Sequence, residues 1–464
     1  MRYRSPALAG ILFLFAALTP KGYLVRVIAA VIGLGLLDTF ILALKSPESP
    51  APARERKLGW AIAVSFLTIY GFSLNYPGFP YFDETNYRPI MDRLWSPSGF
   101  ALATHPPLGY ILSSLAVRVF GDHPWASRLP SFLSGLGLLW IVYRMTKILS
   151  GRPRAAFFAC AVLGMDGICF VQSRIFTLNA VMLFFGLLSL LCLMEHSYDD
   201  SRARRPAFLL SGFFLGCSLA TRWQSVSLLA LFAVLFLNLL RKASDKKALI
   251  VDALVFWAAP CAAVYVGTFF WIFSRNAPGI LPTLAGIVEW HRRIFLFQLN
   301  VGDGHPYASR WWTWPLMLRP VWYIYEEIVP DKIIRGIICI GNPAVIWMLP
   351  AAAGFMTWLA LQRDRAVRGM SVFVLAGIAS QWLPWAFRPG MEFIHYFYTA
   401  IPFLAMAIGV GLDRLWSSGP KGRRLALCYL GTVALMFVYW YPLLCGLPVS
   451  KGQYVQHMWF TSWI

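Results

Sequence analysis

Apolar runs of membrane-spanning or near-spanning length recur along the whole chain, and that succession restricts the fold more than any other feature. A helix needs ~20 apolar residues to cross hydrocarbon. By that rule about thirteen runs qualify, near 5–19, 23–44, 58–75, 128–148, 153–171, 177–195, 207–221, 224–240, 249–273, 341–361, 369–386, 396–413 and 424–444. Backbone in hydrocarbon must satisfy its own hydrogen bonds, so such runs become helices. The composition, 58% hydrophobic and 13% charged over 464 residues, leaves no polar stretch for a separate soluble domain. The expected class is an all-α integral membrane protein with about 11–13 transmembrane helices.

Charge sets the expected orientation. The 41 Lys and Arg outnumber the 21 Asp and Glu, a net charge of +20 that in a soluble chain would suggest nucleic acid. Here the basic residues fall in every second connection, where topology signals belong. They are Arg54, Arg56 and Lys57; Arg144, Lys147, Arg152 and Arg154; Arg202, Arg204 and Arg205; Arg241, Lys242, Lys246 and Lys247; Arg363, Arg365 and Arg368; and Lys421, Arg423 and Arg424. No nucleic-acid partner is expected. The alternation holds only if 106–120 lies in the interface rather than crossing, which its short length suits. The remaining connections, 76–127, 172–176, 221–223, 274–340, 387–395 and the C-terminal tail, then face the periplasm or exterior. The start, Met1-Arg2-Tyr3-Arg4 followed by apolar residues, imitates a secretory signal. No A-x-A-like cleavage site follows its apolar stretch before Pro20, so a retained hairpin is expected. The expected organisation is an N-terminal hairpin and cytoplasmic loop over 1–57, a transmembrane module over 58–273 with the loop 76–127, an external loop with interfacial helices over 274–340, and a four-helix region with an external tail over 341–464.

The sequence excludes several chemistries. It has no Gly-rich phosphate loop, no H-E-x-x-H and no G-x-S-x-G, so nucleotide hydrolysis, zinc proteolysis and serine hydrolysis lack their parts. The eight cysteines show no C-x-x-C spacing, and neither a metal site nor a disulfide framework is indicated. What remains is one adjacent acid pair, Asp83-Glu84, with many cations in the same set of loops. Acidic groups beside a span are costly, and ionisable groups there point to function. The cations are Arg128, Arg174, Arg222, His291, Arg292, Arg293, His305, Arg310, Arg319, Arg388 and His395, and they suit a phosphate held at the membrane surface. A phosphodiester leaving group needs cationic stabilisation more than a strong acid. A positioned Asp can take the proton of an attacking hydroxyl as the new C–O bond forms. In this scheme Asp83 is the base and Glu84 orients sugar or acceptor.

Structural alternatives stand beside these roles. His105 precedes Pro106-Pro107 and can simply open a helix, and Arg174 can snorkel from a helix end. His291-Arg292-Arg293 fits the polar face of an interfacial helix over 281–298, Asp166 a buried partner such as Arg174, and the Trp-rich segments Trp311-Trp312-Thr313-Trp314 and Trp322-Tyr323 a membrane belt.

Several stretches together resemble the protein O-mannosyltransferases, membrane enzymes of the GT-C glycosyltransferase class. They are Asp83-Glu84; His105-Pro106-Pro107-Leu108-Gly109; Ser173-Arg174-Ile175-Phe176-Thr177-Leu178; Ala220-Thr221-Arg222-Trp223; His305-Pro306-Tyr307; Trp314-Pro315-Leu316; Arg319-Pro320-Val321-Trp322-Tyr323; Gly341-Asn342-Pro343; and Phe393-Ile394-His395-Tyr396-Phe397. They run in order from about 60 to the mid-410s. The resemblance implies a GT-C fold with a large first external loop and no inserted soluble domain, in an enzyme of bacterial type. It implies inverting transfer of mannose from a polyprenyl-phosphate donor, a co-substrate rather than a cofactor, to Ser or Thr hydroxyls of exported proteins. Asp83 is the implied catalytic residue; Glu84, His105, Arg174, Arg222, His305, Arg310, Arg319 and His395 are candidates for donor or acceptor binding, with no metal ligand among them. The implied setting is the bacterial inner membrane with the site facing the periplasm or exterior; the implied partners are the lipid-linked sugar, secreted or membrane proteins, the bilayer and the secretion translocon. The chain departs from the family at Asn179, usually Asp, at Arg222, commonly Lys, and at Tyr110, commonly Lys. Those departures bear on sugar and acceptor identity. The rival readings are a transferase with a lipid acceptor, of the aminoarabinose-transferase type, and a transporter of lipid-linked sugar, which would place ionisable groups near the midplane on broken helices.

Overall fold

A computed structural model describes residues 52–95, 104–195, 201–275, 277, 279–300, 302, 304–388 and 390–464. The runs expected near 5–19 and 23–44, and with them the N-terminal hairpin, lie outside the described residues. Among those described, six helices are long and apolar enough to cross a membrane: Pro124–Ser150, Trp223–Lys242, Lys246–Phe273, Pro343–Ala360, Arg365–Phe387 and Pro420–Cys445. Shorter apolar helices over Ile62–Gly71, Leu108–Phe120, Pro153–Gly164 and Leu178–Met194 pack among them. The protein is an integral membrane protein built mostly of helices.

Burial sorts the helices into layers. Leu178–Met194 is apolar all round and buried along most of its length, the signature of a central helix. Only 11% of the apolar stretch of Lys246–Phe273 is buried, so that helix presents most of its surface outward, as lipid contact requires. Between packed helices in a membrane, close fit rather than water exclusion supplies the attraction. The Pro153–Gly164 and Ile401–Ser417 helices show how: a Cβ added at Gly409 would lie 2.6 Å from the Ala155 carbonyl oxygen and 2.7 Å from the Ala159 nitrogen. Gly409 thereby brings the two backbones together.

The expected 153–171 span is divided into Pro153–Gly164 and Gly167–Gln172. Asp166 accounts for the break, and not through the expected pairing with Arg174. Its carboxylate accepts from the Cys169 nitrogen at 2.9 Å and from the Asn342 nitrogen at 3.0 Å. Asn342 in turn donates to the carbonyls of Met165 and Val433 at 2.8 and 2.9 Å, tying three segments at one point. The Gly341-Asn342-Pro343 motif is thus a structural junction.

A small sheet adds to the helical architecture. β1 (Val321–Val329) pairs antiparallel with β2 (Ile333–Cys339), and β2 with β3 (Pro448–Ser450), with Val321 opposite Cys339 and Ile334 opposite Val449. The β-branched residues Ile334, Ile337 and Ile338 bury β2 in the bundle, while Ile333 at the strand's start is exposed. Inside the expected external segment 274–340 the structure therefore holds one long helix, Ile280–Leu299, followed by a hairpin. The chain end packs onto the same region: Trp463 is 1% exposed and donates to the Met317 carbonyl at 2.7 Å.

Candidate active site

The carboxylates of Asp83 and Glu84 go to different places. Glu84, 3% exposed, accepts from Arg128 Nε at 2.8 Å and Nη2 at 2.9 Å, and from the Phe176 nitrogen at 2.8 Å. Arg128 spends its remaining donors on the carbonyls of Leu74 and Pro77 at 2.9 and 3.0 Å. This buried pair fastens the loop after the Pro52–Gly71 helix to the start of Pro124–Ser150, and Glu84 faces a smaller cavity of about 340 Å³ beside Arg128. The sugar-orienting role expected of Glu84 finds no support in this placement. Asp83 precedes the Glu84–Arg93 helix but makes no capping bond to it. Its carboxylate instead lines a cavity of about 760 Å³.

Local structure forces that divergence. Phe82 has φ of 49°, a left-handed conformation rare for a bulky residue. Its ring stacks on Tyr323 of β1 with centroids 3.8 Å apart, which holds the corner in place. The helix that follows puts Asn86, Ile90 and Arg93 on one face, and all three line the cavity.

The other walls come from distant loops. The Leu108 nitrogen, left without a helical partner behind Pro106-Pro107, donates to the Ala220 carbonyl at 2.9 Å. That bond sets His105 close to Arg222, and both line the cavity with His305, Arg388 and His395. Arg222 donates through Nη1 to Asn179 Oδ1, and its guanidinium lies 5.2 Å from the Tyr396 ring centre. Arg388 donates to Gln298 Oε1 at 3.1 Å and to the Met391 carbonyl at 3.3 Å. The His305 ring packs edge-on to Phe393, centroids 5.1 Å apart, while the buried His395 Nδ1 has no hydrogen-bond partner among the described residues.

The electrostatics fit a base opposed by cations. Burial pushes the Asp83 carboxyl up to about 6, partly offset by Arg222 and by the Tyr87 hydroxyl, which donates to Asp83 Oδ2 at 3.4 Å. Burial, reinforced by Arg222, holds His105 and His395 well below the ordinary imidazole range. Both rings are therefore neutral at pH 7, and the fixed positive charge of the cavity resides in its arginines.

Of the candidates drawn from the sequence, Asp83, His105, Arg222, His305 and His395 line one cavity; Glu84, Arg174, Arg310 and Arg319 do not line it. Arg174 is buried and donates to the carbonyls of Tyr70 and Phe72. Arg319 donates to the carbonyls of Pro306 and Ser462, securing the C-terminal tail, and Arg310 stands exposed at the start of the Trp311–Leu316 turn. Trp314 is a core residue with no exposed surface, so at least this member of the Trp cluster is neither belt nor sugar platform. Sequence reasoning does not nominate Arg93, Tyr87 or Gln298 as site residues, and it places Arg388 only among the external cations, although all four line the cavity. The spacing of Asn86 and Arg93, two helical turns apart after Asp83, was the available signal for the first. Among the described residues no group of three or more His, Cys, Asp or Glu gathers as metal ligands would.

The same architecture occurs in solved membrane glycosyltransferases. The chain superposes on the yeast (S. cerevisiae) protein O-mannosyltransferase Pmt1-Pmt2 complex bound to the sugar donor with a TM-score of 0.80, covering 91% of this chain and 94% of that one at 14% identity. It superposes on ArnT from Cupriavidus metallidurans bound to undecaprenyl phosphate with a TM-score of 0.58, covering 83% and 76% at 15% identity. The fold is that of the GT-C membrane glycosyltransferases. Two family models match in sequence, "Dolichyl-phosphate-mannose-protein mannosyltransferase" over 104–266 and "C-terminal four TMM region of protein-O-mannosyltransferase" over 283–463. The chain is 27% identical to the polyprenol-phosphate-mannose–protein mannosyltransferase of Mycolicibacterium smegmatis, over 88% of this chain and 94% of the relative. It is 25% identical to that of Corynebacterium glutamicum, over 92% and 98%. It belongs to the protein O-mannosyltransferase family and is a membrane glycosyltransferase.

Proposed function

We propose that this enzyme transfers mannose from a polyprenyl-phosphate donor to Ser or Thr hydroxyls of exported proteins, with inversion at the anomeric carbon and Asp83 as base. The observation that carries the reading is a single cavity holding one carboxylate of raised pKa, about 6, opposite Arg222 and Arg388. In the proposed step the acceptor oxygen attacks the anomeric carbon, the bond from that carbon to the phosphate oxygen breaks, and the electron pair leaves with the polyprenyl phosphate. Asp83 takes the hydroxyl proton. A carboxylate with a pKa near 6 is ionised at neutral pH yet more basic than an ordinary aspartate, which suits it to the task. Arg222 and Arg388 stabilise the charge that develops on the departing phosphate.

The adjoining cavity of about 480 Å³ supports the donor assignment. It shares His105, Arg222, Gln298 and Arg388 with the first and continues between the Trp223–Lys242 and Arg365–Phe387 helices, past Trp223, Val226, Pro384 and Trp385. A phosphate on the arginines could direct its lipid along this path. The 58–273, 274–340 and 341–464 regions all contribute to the two cavities, so the site is assembled from the whole described chain. We place the cavity on the periplasmic or outer face of the bacterial inner membrane, where acceptors emerge from the secretion translocon, because the basic connections fall at the opposite ends of the helices.

Purified protein in nanodiscs, given polyprenyl-phosphate mannose and a Ser/Thr-rich peptide, should yield mannosylated peptide by mass spectrometry. Transfer to a lipid acceptor with none to peptide would favour the aminoarabinose-transferase type of reaction instead. Cysteines introduced near 84, 305 and 390 should all react with an impermeant reagent from outside; labelling only after permeabilisation would reverse the orientation.

A further inference from the structure

A neutral hydrogen-bonded chain links two parts of the cavity wall, Arg222 and the Phe82 corner. Gln172, fully buried, ends the short Gly167–Gln172 helix. Its Oε1 accepts from Thr177 Oγ1 at 3.0 Å and from Asn179 Nδ2 at 2.9 Å. Its Nε2 donates to the Tyr323 hydroxyl. Asn179, with its Nδ2 committed to Gln172, must turn Oδ1 the other way, and Oδ1 accepts from Arg222. Tyr323, at the other end, carries the stacked Phe82 ring and so the corner from which Asp83 projects.

We propose that Gln172 is a positioning residue that fixes the phosphate-facing Arg222, through Asn179, and the Phe82–Asp83 corner, through Tyr323, in one frame. The inference rests on the proposed roles of Asp83 and Arg222. Gln172 and Asn179 are amides, so the chain orients Arg222 without neutralising it. A carboxylate in place of Asn179 would also hold the guanidinium but would offset its charge towards the cavity. Each of the three side chains has a defined direction in the chain, and the loss of any one leaves a buried polar group unpaired or free to rotate. Displacements of about 1 Å at reacting groups can cost turnover heavily.

The two arms predict different kinetic defects. Asn179→Leu releases Arg222 and should raise the donor KM at least about tenfold with a smaller change in kcat. Tyr323→Phe deletes only the hydroxyl and should lower kcat at least about tenfold with little change in donor KM. Gln172→Met, which keeps volume and removes the bonds to Asn179 and Tyr323 together with that from Thr177, should combine the two defects. The measurement is steady-state transfer from polyprenyl-phosphate mannose to a Ser/Thr peptide by full-length protein in nanodiscs, with melting temperature as a check on folding. Should Gln172→Met fail to fold, the two single-arm variants still decide. Wild-type kcat and KM in folded Asn179→Leu and Tyr323→Phe, or the same loss of both parameters in the two, overturns the proposal. Asp83→Asn run in parallel separates the two levels: turnover persisting there removes the catalytic reading itself, whereas an inactive Asp83→Asn beside unaffected arm variants removes only the frame.

Discussion

Arginines gather at both ends of the helix bundle, but Arg222 and Arg388 at the cavity have partners of a different kind from those at the far end. At the end where the Pro124–Ser150 helix finishes, Arg152 and Arg154 both bond Asp413, at 2.8 and 2.6 Å, and Arg204 and Arg205 both bond Asp252. Arg144 pairs with Glu195 at 2.5 Å nearby in the chain. At the cavity end, Arg222 is held by Asn179 and Arg388 by Gln298, both neutral amides. A carboxylate partner consumes the charge that it holds; an amide partner holds the group and leaves the charge for something else. The first arrangement staples helices, and the second presents positive charge to a ligand. Glu84 shows that the same distinction operates within the cavity end, because its pairing with Arg128 removes both groups from the site.

The sharpest way to break that comparison is to remove the one carboxylate that faces the amide-held arginines. Asp83→Asn should cut transfer by roughly 10³-fold, the scale of general-base loss, while the folded protein still binds the lipid donor. Turnover within tenfold of wild type would mean that the carboxylate faces the arginines without acting as base. Its neighbour should behave in the opposite way. Glu84→Ala strands Arg128 as a buried unpaired charge and should cost about 3–5 kcal/mol of stability, read by thermal or denaturant unfolding. Replacing both, as in Glu84→Gln with Arg128→Met, should recover part of that loss. A stable Glu84→Ala with a raised donor KM would instead return Glu84 to the ligand-binding role that its sequence position suggested.

Much of this was legible in the sequence, and the reason why the rest was not is specific. Span-length apolar runs report helices directly, because hydrocarbon permits little else. Asp83 stood out because an acid at a span end is costly, and the ordered motifs led to Arg222, His105, His305 and His395. What a single sequence does not reveal is the partner of a charge. Arg174 and Arg222 look alike in sequence, each between two apolar runs, yet one closes on the backbone carbonyls of Tyr70 and Phe72 and the other on Asn179 at the cavity wall. The β1–β2 hairpin was hidden for a related reason: its strands lie in a stretch rich in aromatics, and such residues suit an interfacial helix as well as a buried strand. The Ser173–Leu178 motif was recognised, but the buried amide of Gln172 beside it carried no signal of its own.

A smaller effect follows from pH. If Asp83 must be ionised to accept the proton, kcat/KM should fall about tenfold per pH unit below the folded-state value of about 6 and be flat, as far as Asp83 is concerned, above pH 7. The groups that act on Asp83 are Arg222, Tyr87 and, through space from outside the cavity, Glu84, with Arg93, His105, His305, Arg388 and His395 lining the same cavity. Because the folded-state pKa lies above that of an ordinary aspartate, protonation favours the folded state. The contribution is fully present below the unfolded value of 3.8 and is lost as pH rises through about 6. Turnover should thus decline on acidification over a range in which this group makes the protein more stable. A parallel fall of activity and melting temperature from pH 7 to pH 5 would assign the loss to unfolding rather than to Asp83.

The smallest effect on catalysis is expected at the far end. Asp413 is 1% exposed and receives both Arg152 and Arg154, so Asp413→Asn removes the charge that holds the start of the Pro153–Gly164 helix to the end of Ile401–Ser417. Arg152 is half exposed and can turn to water, whereas Arg154 is mostly covered. The expected loss is therefore nearer to that of one charged hydrogen bond than to that of a fully buried pair, about 1–3 kcal/mol. Donor KM and kcat should remain at wild-type values, since the affected ends of both helices lie away from the cavity. If Asp413→Asn instead changed donor KM tenfold with no loss of stability, carboxylate-paired arginines would also be reporting on the ligand, and the division between stapling and ligand-facing charge would fail.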